Sequence, residues 1–186
     1  MIREFPGGKS LQLLKGDITK VPVDAIVNAA NDRLAGGGGV DGAIHLAAGP
    51  ALRLELDDFV AKQGGCPTGN AVPTTAGKLP AKYVFHAVGP VYRDGTNGEA
   101  DALASAYRAC LALAEERNIS YISFPSISTG VYGYPVDQAA PVALREVVAH
   151  LQNASAKLQR ALFVLFDDRT HRAYQDALRN ILPASE

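Results

Sequence analysis

The polar residues best placed for chemistry gather around a run of four glycines. Asn28-Ala29-Ala30-Asn31 precedes the run, Gly36 to Gly39 form it, and Val40-Asp41-Gly42-Ala43-Ile44-His45 follows. A carboxylate such as Asp41 can orient or deprotonate a water, and a histidine can carry a proton. The i, i+4 spacing puts Asp41 and His45 on one face of any helix that starts after the glycines. A second loop-like stretch, Ser126 to Pro135, carries Ser128, Thr129, Gly130, Val131 and Tyr132. Shorter polar steps stand at Gly16-Asp17-Ile18-Thr19 and Pro67-Thr68-Gly69. Ser126, Ser128 and Thr129 lack a G-x-S-x-G elbow and a neighbouring base, which argues against a serine hydrolase. No cluster has metal-ligand spacing, so neither a metal nor another cofactor is expected.

Strands and helices must hold these residues in place. Ser10 to Lys15 and Asp24 to Ala30 read as strands, the second buried around Ile26 and Val27. A helical period begins at Val40 and reaches Val60, broken at Gly49-Pro50 because proline interrupts a helix. Asn70 to Ala76 and Lys82 to Val88 read as strands on either side of the Gly77-Lys78-Leu79-Pro80 turn, an antiparallel pair. Ala100 to Arg117 is an alanine-rich helix, Tyr121 to Ile127 a strand, Val136 to Leu151 a helix and Ala161 to Phe166 a strand. Thr170 to Leu182 is a last helix, with Thr170 as its N-cap. The first nine residues and Pro183 to Glu186 read as loose ends. Strands alternating with helices predict an α/β sandwich with a largely parallel sheet. Ligands of such sheets bind beyond the carboxyl ends of strands. Gly16-Asp17-Ile18, Asn31 to Asp41 and Ser126 to Tyr134 all fall there. Two of them are glycine loops leading into helices, an arrangement that offers backbone N–H groups and a helix dipole to phosphate.

The chain has 186 residues, 18 basic and 19 acidic side chains and a formal charge of −1. That length fits one domain, 1–186, with a core of about 10–182. A duplex-DNA binder would carry a basic excess, so no duplex nucleic acid partner is expected. Cys66 and Cys110 make neither a disulfide framework nor a zinc pattern. No apolar run reaches the ~18 residues of a membrane span, and the N-terminus lacks a signal-peptide pattern. A soluble, cytoplasmic chain with no membrane partner is therefore expected, and, with no apolar heptad evident, a monomer. Gly37 to Gly42 satisfy G-x-G-x-x-G, but Asn31 to Ala35 separate them from the strand. Asp57 and Asp58 fall in a helical stretch where a dinucleotide fold needs a strand end. A linker reading of the glycines fails because strand and helix flank them closely.

Taken together and in order, the Gly16-Asp17-Ile18-Thr19, Asn28 to Asn31, Gly36 to His45, Pro67-Thr68-Gly69 and Ser126 to Pro135 motifs resemble the macrodomain family, and within it the MacroD-type ADP-ribosylhydrolases. The resemblance covers about Ser10 to Leu182. It implies a three-layer α/β/α sandwich with a central mixed, largely parallel sheet, and ADP-ribose as ligand. It also implies hydrolysis of esters at the distal ribose, with mono-ADP-ribosylated proteins and O-acetyl-ADP-ribose as substrates. Two other readings share the same pocket: a reader that binds ADP-ribose without turnover, and an ADP-ribose 1″-phosphate phosphatase.

By that resemblance Asp17 and the Ile18 amide meet adenine, and Phe166 stacks on it. Their physical chemistry agrees: adenine offers a donor at N6 and an acceptor at N1, which a carboxylate and a backbone N–H complement. The plain structural readings are a turn or helix cap for Asp17 and an ordinary core residue for Phe166. Asn28 falls among the ligand-binding positions. Gly37, Gly38, Gly39 and Val40 on one side, and Ser128, Thr129, Gly130, Val131 and Tyr132 on the other, would bracket the diphosphate with amides. Asn31 would contact the distal ribose, Tyr132 would cover it, and Asp41 would act on a water near C1″. His45 matches a histidine beside the site. Leu46 departs from the family, many members of which have a basic residue there, and this touches only the protein side of the substrate. His86, His150 and His171 read as structural or surface residues.

Overall fold

The computed structural model describes residues 1–183. Pro183 is thus the only part of the expected C-terminal tail that it reaches; 184–186 lie outside the described residues. Seven strands form one sheet: β1 Ile2–Phe5, β2 Lys9–Lys15, β3 Ala25–Ala30, β4 Ala71–Thr75, β5 Tyr83–Val88, β6 Tyr121–Phe124 and β7 Arg160–Leu165. Their order is β1-β2-β7-β6-β3-β5-β4. The five inner strands run parallel, while β1 and β4 are antiparallel edges. Pro73, which can donate no ladder hydrogen bond, sits on edge strand β4, where that costs least.

Alternation along the strands divides the core in two. Ala25, Val27, Phe85, Phe124, Ala161 and Phe163 face one side. Helices α3 Glu99–Glu116, α4 Val136–Gln152 and α5 Asp168–Ile181 cover that side with Leu103, Tyr107, Leu144, Val147 and Tyr174. Ile26, Val84, Leu162 and Val164 face the other side, under Ile44 and Ala48 of α1 Gly39–Ala48 and Leu52 of α2 Pro50–Gln63. The result is the expected α/β/α sandwich with a mixed sheet. The α1/α2 break falls at Gly49, whose φ of 81° suits glycine, and Pro50 opens α2 at its first helical position.

Three local expectations are corrected. The first residues are not loose, because Ile2–Phe5 pairs with β2 in antiparallel register, Phe5 opposite Lys9. Strand β6 stops at Phe124, not Ile127, because Pro125 has no N–H to extend the ladder. The cap of α5 is Asp167, whose Oδ1 accepts the Thr170 N–H at 2.8 Å; Thr170 is the donor.

Because β2, β7, β6, β3 and β5 are parallel, their carboxyl ends share one edge of the sheet. Gly16 to Ile18, Phe166, Ser126 to Tyr134, Asn31 to Gly38 and Gly89 all emerge there.

Candidate active site

A cleft of about 230 Å³ opens at that edge. One wall is the glycine loop with Asn31, Gly37, Gly38, Gly39, Val40 and Asp41; the other is Ser126, Ile127, Ser128, Gly130, Val131 and Tyr132. Ala29, Ala30 and Gly89 complete its lining.

The glycine loop is held open by local bonds. Asn31 Oδ1 accepts the Ala35 N–H at 3.1 Å, and Asn31 Nδ2 donates to the Gly36 carbonyl at 2.9 Å. Leu34, fully buried despite a φ of 55°, pins the turn, and Arg53 donates to its carbonyl at 2.7 Å. Gly42 lets the loop lie directly on α1: a Cβ there would meet the Gly37 carbonyl oxygen at 2.7 Å. Among the described residues, the amides of Gly37, Gly38, Gly39 and Val40 make no hydrogen bond within the chain. Those of Gly38, Gly39 and Val40 are orphan donors of a helix N-terminus, and Gly37 stands just before its cap.

The facing loop repeats the arrangement. Its carbonyls are used internally: Tyr134 N–H donates to Ser128 at 2.9 Å, Gly133 to Gly130 at 3.0 Å, and Tyr92 to Tyr132 at 2.8 Å. Among the described residues, the amides of Gly130, Val131 and Tyr132 have no partner within the chain. Ser128 holds a φ of 67°, a conformation that is strained for a side-chain-bearing residue. Gly89 packs beneath it, and any Cβ at Gly89 would overlap Ser128 Oγ and Ile127 Cγ2. Among the described residues, no Lys or Arg lines the cleft. An anion between the loops would meet amide dipoles from both sides.

Asp41 stands in the first turn of α1, only 6% exposed, with its edge in the cleft. Its Oδ1 accepts from Asn28 Nδ2 at 2.6 Å and lies 3.3 Å from His45 Nε2. Burial alone would raise the Asp41 pKa, but the contacts with His45 and Asn28 outweigh it and hold the carboxyl below its ordinary range. Oδ2 has no partner among the described residues and lies beside Gly37, which lines the cleft together with Asp41. One oxygen is gripped and the other is open. Tyr132, half-buried, closes the same end; burial, then the Asp32 and Asp41 charges, raise its phenol pKa. It therefore stays a neutral hydrogen-bond donor.

The other predicted residues are distributed around this centre. Asp17 is exposed beyond the β2 end, and its Oδ1 accepts from Thr19 N and Oγ1 at 2.9 and 2.7 Å. Ile18 begins a 3-10 turn, buried at its side chain. Phe166 is 82% exposed just past β7, which is not a core position. None of these three borders the cleft itself. Thr129 turns its hydroxyl back to Ser126. Asn28 departs from the expectation of a ligand contact: it is fully buried behind Asp41, not on the cleft surface. His45 sits beneath Asp41 rather than in the lining.

Sequence reasoning passed over Gly89 and His86. Gly89 had a signal, a glycine at a strand end before Pro90. His86 looked unremarkable, yet it is fully buried and joined to Asn28 and Thr74. Among the described residues no group of three or more His, Cys, Asp or Glu could hold a metal ion. No helix among the described residues is long and apolar enough to cross a membrane.

Residues 27–143 match the family model described as Macro domain. A macro domain-containing protein of Caldanaerobacter subterraneus is 55% identical over 173 residues, covering 93% of this chain and 98% of the relative. The O-acetyl-ADP-ribose deacetylase of Salmonella gallinarum is 56% identical over 164 residues, covering 88% and 91%. A variant of the Oceanobacillus iheyensis macrodomain with ADP-ribose superposes with a TM-score of 0.92 at 39% identity, covering 98% of each chain. By sequence and by fold, this chain belongs to the macro domain family.

Proposed function

We propose that the chain binds ADP-ribose along the carboxyl edge of its sheet and hydrolyses esters at the distal ribose. It deacetylates O-acetyl-ADP-ribose and removes mono-ADP-ribose from acidic side chains of proteins. The observation that carries this reading is the open Oδ2 of Asp41 at the end of an amide-lined cleft. The similarity to a relative named O-acetyl-ADP-ribose deacetylase supports it.

In this reading the two loops hold the diphosphate, and Asp17 and Phe166 hold adenine beyond β2 and β7. The distal ribose then lies between Asn31, Tyr132 and Asp41. Asp41 is ionised and a weak base, so its Oδ2 chiefly aligns a water by accepting one of its protons in a hydrogen bond. At a glycosyl ester of an acidic side chain, the water oxygen bonds to C1″, the C1″–O bond breaks and the carboxylate leaves. At an acetyl ester, the water adds to the acyl carbon, the acyl–oxygen bond breaks, the ribose oxygen leaves and takes up a proton as a hydroxyl, and the acyl group is released as acetate. Both substrates present an ester within reach of one aligned water. The buried, unpaired thiols of Cys66 and Cys110 fit a reducing cytoplasmic setting.

The test is incubation with O-acetyl-ADP-ribose and, side by side, with a mono-ADP-ribosylated protein. Release of acetate and of free ADP-ribose is expected. Tight ADP-ribose binding with neither product formed would identify a reader and overturn the reading.

A further inference from the structure

Behind the cleft lies a chain of buried polar groups that no contact with a ligand explains. Asn28 on β3, His86 on β5 and Thr74 on β4 are 0%, 0% and 5% exposed. They occupy the sheet face beneath α1, and Asn28 stands opposite His86 in the β3–β5 register.

Proton counting fixes the direction of every bond in this chain. The Thr74 hydroxyl donates its single proton to the Thr75 carbonyl at 2.9 Å. Toward His86 Nε2, 2.9 Å away, Thr74 Oγ1 can then only accept. His86 therefore carries its proton on Nε2 and offers Nδ1 as an acceptor. Asn28 Nδ2 lies 3.1 Å from that Nδ1 and 2.6 Å from Asp41 Oδ1. Both Nδ2 protons are thereby used. Rotating the amide would turn its oxygen toward two acceptors at once. The buried Asn28 Oδ1 has no partner, an unfavourable state for an interior acceptor. The fold tolerates that orphan to keep the nitrogen side on Asp41.

We propose that Thr74 and His86 are positioning residues for the hydrolysis: they fix one histidine tautomer, which locks the Asn28 amide, which holds Asp41 with Oδ2 in the cleft. The proposal rests on the catalytic reading of Asp41. His86 also stays neutral in the fold. Burial, the largest influence, together with the nearby His45 and Arg53 charges, outweighs the attraction of Asp41 and lowers its pKa to about 3.

Thr74→Val keeps the side-chain shape and removes the acceptor. The His86 Nε2 proton then has no partner, and the tautomer that suits Asn28 is no longer favoured. With O-acetyl-ADP-ribose as substrate, kcat is expected to fall about 10- to 100-fold, the scale of a small misplacement of a reacting group. Affinity for ADP-ribose, read by calorimetry, should change by less than about twofold, since no group in the chain lines the diphosphate cleft. Nitrogen NMR of isotope-labelled histidine should show His86 protonated at Nε2 in the wild type and redistributed in Thr74→Val. Thr74→Ser should restore both the rate and the signature, and Thr74→Ala serves in place of the valine variant if that one does not fold. An Nδ1-protonated His86 in the wild type would overturn the proposal. Equal losses of rate and affinity would do the same, as the mark of general loosening. Asp41→Ala is run in parallel. If it is inactive while Thr74→Val turns over normally, the positioning role fails alone; if Asp41→Ala is itself active, the catalytic reading falls and takes this proposal with it.

Discussion

Two buried carboxylates sit in the first turns of two helices, Asp41 in α1 and Glu99 in α3, and only one of them is built for chemistry. Glu99 is 3% exposed. Its Oε1 accepts from the amides of Arg93, Asp94 and Gly95 at 3.1–3.3 Å, and its Oε2 from Asn97 at 2.7 Å. Burial would raise the Glu99 pKa, but these amides outweigh it and bring it to about 2. Asp41 is also buried and also held below the ordinary range, yet its partners are side chains and all converge on one oxygen. Neither burial nor depressed acidity separates the two. What separates them is an unspent oxygen facing a cleft. Glu99 wraps a loop around itself, and through Tyr92 that loop steadies the Tyr132 wall. Asp41 keeps one oxygen for a substrate.

The contrast can be broken most severely at the cleft that gives Asp41 its purpose. Gly89→Val would drive a side chain into Ser128 and Ile127. Displacing that loop is expected to weaken ADP-ribose binding by about 100-fold, the scale of a forced repacking; calorimetry with unchanged affinity would remove Gly89 from the account. On the structural side, Glu99→Ala strands several buried amides. Its melting temperature should fall on the order of 10 °C, while turnover by the folded fraction falls far less than for a change at Asp41. A scan showing intact stability would erase the contrast.

Acid should expose the polar chain behind Asp41. His86 has its ordinary value of 6.5 when unfolded and about 3 when folded. Below pH 6.5 the unfolded chain takes up a proton that the fold refuses. Stability is thus fully present above pH 6.5 and declines as pH falls toward 3, by at most about 1.4 kcal/mol per pH unit. Between pH 7 and 5 the loss is roughly 2 kcal/mol, measurable by denaturant titration; a flat result would mean that His86 is not held neutral. The smallest effect belongs to the adenine end. Asp17→Ala should weaken ADP-ribose binding about tenfold, the worth of a hydrogen bond to a charged group, and unchanged affinity would sink that assignment.

The chemistry of the loops was legible before the fold. A glycine run between a buried strand and a helix points to an amide wall, whereas the role of Asp41 follows from the resemblance to the macrodomain family, and only the structure shows which of its oxygens is held. The strand–helix alternation gave the sandwich, and Gly49-Pro50 gave the helix break. Four residues are too few for periodicity to reveal β1, whose existence depends on pairing with β2. Thr170 reads as a cap because threonine is a common N-cap residue, and only the geometry shows that Asp167 accepts and Thr170 donates. The support of Asp41 was hidden for a deeper reason. Asn28, His86 and Thr74 lie on three strands far apart in sequence, and only the register of the sheet makes them neighbours. Asn28 belongs to a motif that suggested ligand contact, whereas its amide is consumed behind the site.

The central claim is that Asp41 works through one free oxygen without being needed to bind the nucleotide. Asp41→Asn tests it most directly, since the amide keeps the size of the side chain and removes the charge. The account predicts that turnover of O-acetyl-ADP-ribose falls at least about 100-fold, while the affinity for ADP-ribose stays within about tenfold of the wild type. Turnover at the wild-type rate would contradict it.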